Sequence, residues 1–206
     1  MAESTEESSV AAGAKRLPPD ERRRHLIDVA LAVFAERGYS QTELADIAEA
    51  AGIRRPLLYH YFGGKEDVFL VVLEHAWAEL AGRLSVEPGQ GAEVMPANML
   101  MYIDLVEEGD PLVEIVRQSR RLDLPRVAET TRVASAAIAR GMALNHLGGD
   151  EQPLAVVAVF QAFLGFFETL IEEWTTGRMT RDQVETVLIE TLPHVAGAAR
   201  KIRDGG

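Results

Sequence analysis

Helix-forming stretches separated by glycine or proline follow one another along almost the entire chain. From residue 20 onward, apolar side chains recur at the three- and four-residue spacing of one helix face, and Gly or Pro marks the breaks. No segment alternates apolar and polar residues as a half-buried strand does. The 206 residues suffice for one compact helical body, or for a small head that shares a core with a larger module. We therefore predict an all-α fold of about nine helices.

The composition excludes several classes of protein. Apolar residues make up 47% of the chain and charged residues 26%, which is typical of a globular protein. Because there is no cysteine, disulfides, thiolate zinc sites and cysteine nucleophiles are excluded. The acidic start lacks the order of a signal peptide, so we expect a cytoplasmic protein. The longest apolar run, 154–167, is shorter than the roughly 20 residues of a membrane span, and it predicts a buried helix and no membrane partner.

Charge is unevenly distributed along the chain. The formal net charge is −11, which disfavours non-specific binding to nucleic acid. Residues 15–66 nevertheless hold nine Lys and Arg against eight Asp and Glu, so the acidic excess lies elsewhere. Only this N-terminal segment is suited to lie against DNA phosphates.

The first part of the chain is predicted to be a tail followed by three short helices. Residues 1–19 lack periodicity and end in a proline pair, and we expect them to be disordered. The three helices are predicted at 20–37, from about Thr42 to Ala51, and from Pro56 to Phe62. A helix, a glycine-containing turn and a second helix form the helix-turn-helix pattern, which places a DNA-binding domain at 20–66.

The rest of the chain, 67–206, is predicted to form a second helical domain. About six further helices are expected, at 66–84, 92–107, 111–121, 125–147, 152–176 and 180–203. Arg117, Arg120 and Arg121 lie near the end of the 111–121 helix. They could bind an acidic ligand group, but the helix dipole and solvent explain them equally well, and we prefer that interpretation.

Three segments of the N-terminal part carry a family pattern. They are Thr42-Glu-Leu-Ala-Asp-Ile-Ala48, Ala51-Gly52-Ile53 and Leu58-Tyr-His-Tyr-Phe62-Gly-Gly-Lys65-Glu66. Preceded by the helix that ends at Gly38, they resemble in order and spacing the DNA-binding head of the TetR family of transcriptional regulators. Downstream, the similarity extends only to the order of the helices.

The resemblance implies DNA contacts around the third helix. Arg54, Arg55 and Pro56 match the family positions that meet base edges in the major groove, where an arginine can donate two hydrogen bonds to guanine. Contact with phosphate alone is the alternative. The full DNA-binding set is Thr42, Arg54, Arg55, Pro56, Leu57, Tyr59, His60, Tyr61 and Lys65.

The resemblance implies further DNA contacts after the start of the third helix. Tyr59, His60 and Tyr61 match positions that touch phosphate or thymine, and Lys65 matches a lysine that reaches a phosphate as a point charge. Thr42 could bind another phosphate through its hydroxyl and the amides at the helix end, or it could be a plain N-cap.

The resemblance also implies that the later helices enclose an apolar ligand pocket and that the last two pair with a second copy. The candidate pocket residues are Trp77, Met95, Met99, Tyr102, Ile103, Val106 and Phe163. The candidate interface residues are Phe160, Phe163, Leu164, Phe167, Ile171, Trp174, Val184, Leu188, Thr191 and Val195. The 152–176 helix is apolar on more than one face, and which stripe faces the partner stays open.

These features together predict a homodimeric, sequence-specific DNA-binding regulator. We expect a repressor that a small apolar or amphipathic ligand releases from a palindromic operator, with no cofactor and no metal. An activator or a ligand-independent regulator of the same fold is the first alternative. A helical enzyme is the second, because His75, His146 and His194 invite a metal or a general base, but no two share a helix at ligand spacing.

Overall fold

The computed structural model describes residues 18–84, 91–149 and 151–205. Within these residues the chain forms nine α-helices and no strand, which confirms the predicted fold class. The helices are α1 (Pro19–Arg37), α2 (Leu44–Ala50), α3 (Arg55–Phe62), α4 (Lys65–Arg83), α5 (Gly91–Glu108), α6 (Pro111–Arg121), α7 (Pro125–Leu147), α8 (Leu154–Thr175) and α9 (Arg181–Gly205). We call α1–α3 the head and α4–α9 the body. The tail predicted at 1–19 lies outside the described residues except for Pro18 and Pro19, and Pro19 already begins α1.

Glycines end the first two helices at the predicted positions. Gly38 has a φ of 79°, and its N–H donates to the carbonyl of Phe34 at 2.9 Å, which closes α1. Gly52, with a φ of 62°, forms the turn between α2 and α3. Because residues with a Cβ rarely adopt a positive φ, glycine is favoured at both places. The result is the predicted helix-turn-helix.

The start of α2 differs from the prediction. The helix begins at Leu44, and Glu43 occupies the N-cap position that the sequence assigned to Thr42. The backbone N–H of Glu43 donates to the carboxylate of Asp46 at 2.7 Å, and this bond fixes the first turn. Thr42 is fully buried and its hydroxyl donates to the carbonyl of Gly38 at 2.8 Å, so it closes the preceding turn instead.

An aromatic cluster ties the head to the body. The rings of Phe34 in α1 and Phe69 in α4 meet edge to face at 5.2 Å, and both side chains are fully buried. Tyr39, in the turn after α1, lies 5.0 Å from Phe69 and 6.0 Å from Phe34. One hydrophobic core therefore runs from the head into the body.

A buried amide crosses the same junction. Gln118 of α6 donates from Nε2 to the carbonyl of Phe34 at 3.0 Å, and its Oε1 accepts the backbone N–H of Tyr39 at 3.1 Å. The same Nε2 lies 3.2 Å from the carboxylate of Glu114. Gln118 thus pairs the N–H of Tyr39, which lies beyond the last helical bond of α1, and gives the Phe34 carbonyl a second donor beside the N–H of Gly38.

The body packs around α8, which contacts α7 on one side and α9 on the other. Between α6 and α7, the hydroxyls of Ser119 and Thr131 form a buried hydrogen bond of 3.0 Å. At the far end, Arg181 of α9 pairs with Asp104 and Glu107 of α5. These contacts fix the relative positions of the body helices.

The prediction that the apolar run of α8 is too short for a membrane span needs correction. The helix has 22 residues, and its most apolar window has a mean hydropathy of 2.1, so by length and composition it qualifies. Only 39% of that window is buried, because one face is exposed. Since the other faces pack against α7 and α9, we interpret α8 as a core helix with one uncovered apolar side.

The junction makes a stability prediction. Replacing Gln118 with Leu removes both head contacts and leaves the backbone N–H of Tyr39 without its partner, so the free energy of unfolding should fall by about 1–3 kcal/mol. Urea denaturation measures this loss. The exposed Gln41→Leu is the control and should change the free energy of unfolding by no more than about 0.5 kcal/mol. Equal effects of the two variants would contradict the role of Gln118.

Candidate functional site

The outward face of α3 is the candidate nucleic-acid surface. Leu58 is fully buried and anchors α3 against the rest of the head. Apart from this anchor, the N-cap residue and much of α3 are open to solvent. The side chains exposed there are Arg54, Arg55, Pro56, Tyr59 and His60, all five of them in the predicted DNA-binding set.

Arg55 and Tyr59 form a pair on this face. The guanidinium donates to the tyrosine hydroxyl at 3.0 Å, and its central carbon lies 5.4 Å from the ring centroid. The pair is exposed, and four of the five guanidinium N–H groups are not used in this bond. Tyr59 therefore holds Arg55 extended along the helix surface with donors left for an acceptor.

The remaining aromatic residues are less exposed than the sequence suggested. Tyr61 is half-buried and its ring lies 6.1 Å from that of Phe62, while His60 packs 5.9 Å from Tyr61. Leu57 is also half-buried. The predicted strip of three free aromatic side chains is therefore a pair, Tyr59 and His60, with Tyr61 partly packed.

Lys65 begins α4 beside the turn that follows α1. Its Nζ lies 4.7 Å from the ring centroid of Tyr39 and 3.5 Å from the carbonyl of Ser40. Burial, and then the charge of Glu66, raises the pKa of Tyr39, so this ring stays neutral beneath the ammonium. The lysine is half-buried at the head surface, and its cation lies next to the first residues before α2.

Thr42 does not fit its predicted role. A fully buried hydroxyl that already donates to the carbonyl of Gly38 cannot reach a phosphate.

One basic residue near the surface was missed: the guanidinium of Arg23, in α1, lies 5.3 Å from the ring centroid of Phe62 at the end of α3. The sequence pattern shows that Arg23 lies on the polar side of α1, but it does not show that Arg23 lies next to Phe62.

A cavity of about 360 Å³ lies in the body. Helices α4, α5, α7 and α8 form most of its wall, and α6 contributes Arg120. The lining is mainly apolar and consists of Trp77, Leu80, Ala81, Leu84, Met95, Asn98, Met99, Tyr102, Arg120, Ser135, Ala137, Ile138, Gly141, Met142, Asn145, Leu164, Phe167 and Glu168. Its size and lining suit a small organic ligand.

Four of the seven predicted pocket residues line this cavity: Trp77, Met95, Met99 and Tyr102. Met95, Met99 and Tyr102 follow one face of α5; Ile103 is buried beside that face, and Val106, one turn further along it, lies outside the cavity lining. Phe163 is buried in the core of the body and does not reach the cavity. The α7 wall, which mixes apolar Ile138 and Met142 with small and polar residues, was missed.

Polar groups meet at one end of the cavity. The Tyr102 hydroxyl lies 3.5 Å from Oε1 of Glu168, and Nη2 of Arg120 lies 3.4 Å from the same oxygen. Burial raises the pKa of the Glu168 carboxyl, and burial together with Glu168 raises the pKa of Tyr102 well above its usual value. Arg120, which the sequence analysis assigned to the helix dipole, is thus a cavity residue.

The outer faces of α8 and α9 differ from the predicted interface. Phe160, Phe163, Phe167, Ile171, Val184 and Leu188 pack inside the protomer, so they are not available to a partner. Leu164, Trp174, Thr191 and Val195 are half-buried. The exposed stripe consists of Leu154, Ala155, Ala158, Ala162, Gly165 and Phe166 on α8, with Ile189 and Pro193 on α9. Because α8 is apolar on every side, the sequence did not show which of its stripes fills the core and which is exposed.

The three histidines of the enzyme alternative lie apart. His75 of α4 is 3.8 Å from Asp28, His146 of α7 packs on Phe160, and His194 bonds within α9. Among the residues that the structure describes, no group of three His, Cys, Asp or Glu side chains could hold a metal ion.

Comparison with known proteins gives consistent matches. Residues 26–72, which span most of the head and the start of α4, match the family model described as bacterial regulatory proteins, tetR family. A crystal structure of a tetR-family transcriptional regulator from Streptomyces coelicolor is 30% identical, with a TM-score of 0.72, and the match covers 92% of this chain and 86% of that one.

Two curated proteins are similar at lower identity. The HTH-type transcriptional activator FasR of Mycolicibacterium smegmatis is 29% identical over 125 residues, which are 59% of this chain and only 57% of FasR. The HTH-type transcriptional regulator BetI of Brucella abortus is 28% identical over 171 residues, covering 67% of this chain and 86% of BetI.

Proposed function

Because this chain belongs to the TetR family of bacterial regulatory proteins, we propose that it represses transcription as a homodimer on a palindromic operator and that a small apolar or amphipathic molecule releases it. Membership makes the chain a DNA-binding transcriptional regulator and not an enzyme. The observation that carries the proposal is the outward face of α3, where Tyr59 holds Arg55. The protein would act in the cytoplasm, where the operator is.

Binding is proposed to place α3 in the major groove. Arg55 is exposed at the first turn of this helix, and the N-terminal residues of a recognition helix are the ones that meet base edges. A guanidinium can donate two hydrogen bonds to guanine, and Tyr59 pre-orients it for that contact. Lys65 and His60 lie where they can meet the flanking phosphates.

Release is proposed to act through the two helices that support the head. The α4 helix carries Lys65 at its first residue and Trp77 in the cavity wall, and α6 carries Gln118 at the head and Arg120 in the cavity wall. A ligand in the cavity therefore touches both supports. Since two recognition helices must enter grooves about 34–36 Å apart, a small shift of these helices is enough to weaken binding.

Activation is the second candidate. FasR, one of the similar proteins, is named as an activator, so family membership alone does not fix the sign of regulation. We favour repression because displacement of the head by a ligand gives the simplest switch. A reporter placed behind the selected binding site, assayed with and without the protein, separates the two signs.

The dimer is proposed to form through the exposed stripe of α8 and the adjoining face of α9. Phe166 is 38% exposed and Ile189 is 49% exposed, which is high for side chains this apolar. Alanines and Gly165 beside Phe166 allow another helix to approach closely. A two-fold axis would pair each stripe with its own copy and cover the open side of α8.

The DNA contacts are tested with two substitutions. Using sites selected from a random duplex library, Arg55→Ala should relax preference at one base position, with a loss of about 1–3 kcal/mol at the preferred base. Lys65→Ala should weaken binding nearly equally for all sequences and lower the salt slope by about 1. Arg132→Ala, on α7 away from the head, is the control. A uniform loss for Arg55→Ala would contradict base contact.

The interface is tested by a charge on the exposed stripe. Phe166→Glu should convert the dimer to a monomer of 22.6 kDa in sedimentation equilibrium, because two carboxylates would meet near the axis. Val133→Glu, at a side chain 54% exposed on α7, is the matched control and should remain dimeric. A dimer that survives Phe166→Glu unchanged would move the interface elsewhere.

A further inference from the structure

The charged pair in the cavity wall is loosely held. Nη2 of Arg120 and Oε1 of Glu168 are 3.4 Å apart, whereas a charge-assisted hydrogen bond is usually about 2.7–2.9 Å long. The Tyr102 hydroxyl is no closer to the same oxygen, at 3.5 Å. The Glu168 side chain is only 14% exposed, so it has little access to solvent. Both charged groups thus border the cavity with their hydrogen-bonding capacity incompletely used.

The charges around this pair balance. Behind Arg120, Arg117 pairs with Glu114 at 3.4 Å and with Glu172 at 3.7 Å, and Arg121 pairs with Glu172 at 3.0 Å. Three arginines therefore face three glutamates, counting Arg120 and Glu168. An ionised ligand group would add an unmatched charge beside Glu168, whose side chain has little access to solvent, and burying a charge without a partner is costly.

Each kind of charged ligand meets a like charge. An ammonium group that approaches Glu168 comes beside Arg120, and a carboxylate that approaches Arg120 comes beside Glu168, with Glu172 behind it. A hydroxyl group avoids both conflicts, because its oxygen accepts a hydrogen bond from Arg120 while its proton is donated to Glu168. Because the two atoms are 3.4 Å apart, one hydroxyl oxygen in the cavity can lie within hydrogen-bond distance of both and bridge them.

We propose, on the premise that the cavity is the effector site proposed above, that the effector is an uncharged molecule with an apolar body and a hydroxyl head group held between Arg120 and Glu168. The body of the molecule lies against Trp77, Met99, Met142 and Phe167, whose side chains are apolar or aromatic. The cavity volume of about 360 Å³ is at the small end of ligand sites and fits a compact amphiphile.

The test uses three probes with the same ten-carbon chain: 1-decanol, decanoate and decylamine. Each is titrated calorimetrically into the full-length protein at pH 8, where the raised pKa of Glu168 is least able to leave it protonated. Decanol should bind at least roughly tenfold more tightly than either ion, because only the alcohol satisfies both charged groups without adding a charge.

Two reciprocal variants make the assignment specific. Glu168→Gln leaves Arg120 unmatched, so decanoate should become the tightest of the three probes. Arg120→Gln leaves Glu168 unmatched, so decylamine should become the tightest. Arg132→Gln, an exposed arginine of α7 paired with Glu129 outside the cavity, is the control and should keep the order found for the unmodified protein. Thermal unfolding checks that each variant is folded, and either reciprocal variant alone can show the reversal.

The outcomes separate this inference from the proposed function. If decanoate or decylamine binds the unmodified protein most tightly, or if neither folded variant reverses the order, the hydroxyl assignment is overturned while the apolar effector cavity stands. If none of the probes binds any of the proteins, both the assignment and the proposed effector cavity are overturned. DNA binding by α3 does not depend on either result.

Discussion

The buried amide of Gln118 is the contact on which the rest of the arrangement depends. It bonds the carbonyl of Phe34 and the N–H of Tyr39, the two backbone groups that bracket the end of α1. The first bond is buried and the second is partly buried, and they join residues 84 and 79 positions apart, so they hold only when α6 lies in one position against the head. The aromatic contact of Phe34 with Phe69 adds α4 to the same junction.

This junction joins the head to helices that also contribute to the cavity wall. Helices α4 and α6 both contact the head and both contribute to the cavity wall, α4 through Trp77 and its neighbours and α6 through Arg120 alone. The Arg120–Glu168 pair lies two residues along α6 from Gln118, so a ligand that moves this pair acts close to the head contact. Because packed cores switch between discrete arrangements and do not deform continuously, a local change in the cavity can alter the head position.

Local chemistry made much of the fold predictable, and long-range packing limited the rest. Gly38 and Gly52 ended helices because only glycine adopts their conformation easily. Thr42 was misassigned because a cap and a buried turn hydroxyl look alike in sequence. The stripes of α8 were misassigned because an all-round apolar helix gives no direction. Arg120 was missed because its partner, Glu168, is 48 residues away in sequence and shares no local pattern with it.

On the proposed function, the cavity and the DNA surface are thermodynamically coupled through α4 and α6. The most direct measurement is the affinity of a ligand, found by thermal-shift screening of apolar compounds, with and without saturating operator DNA. Linkage requires that the ligand and the operator weaken each other by the same factor, and we expect about 5–150-fold. Identical ligand affinity in the two titrations would contradict the coupling and leave α3 as a DNA-binding surface without a switch.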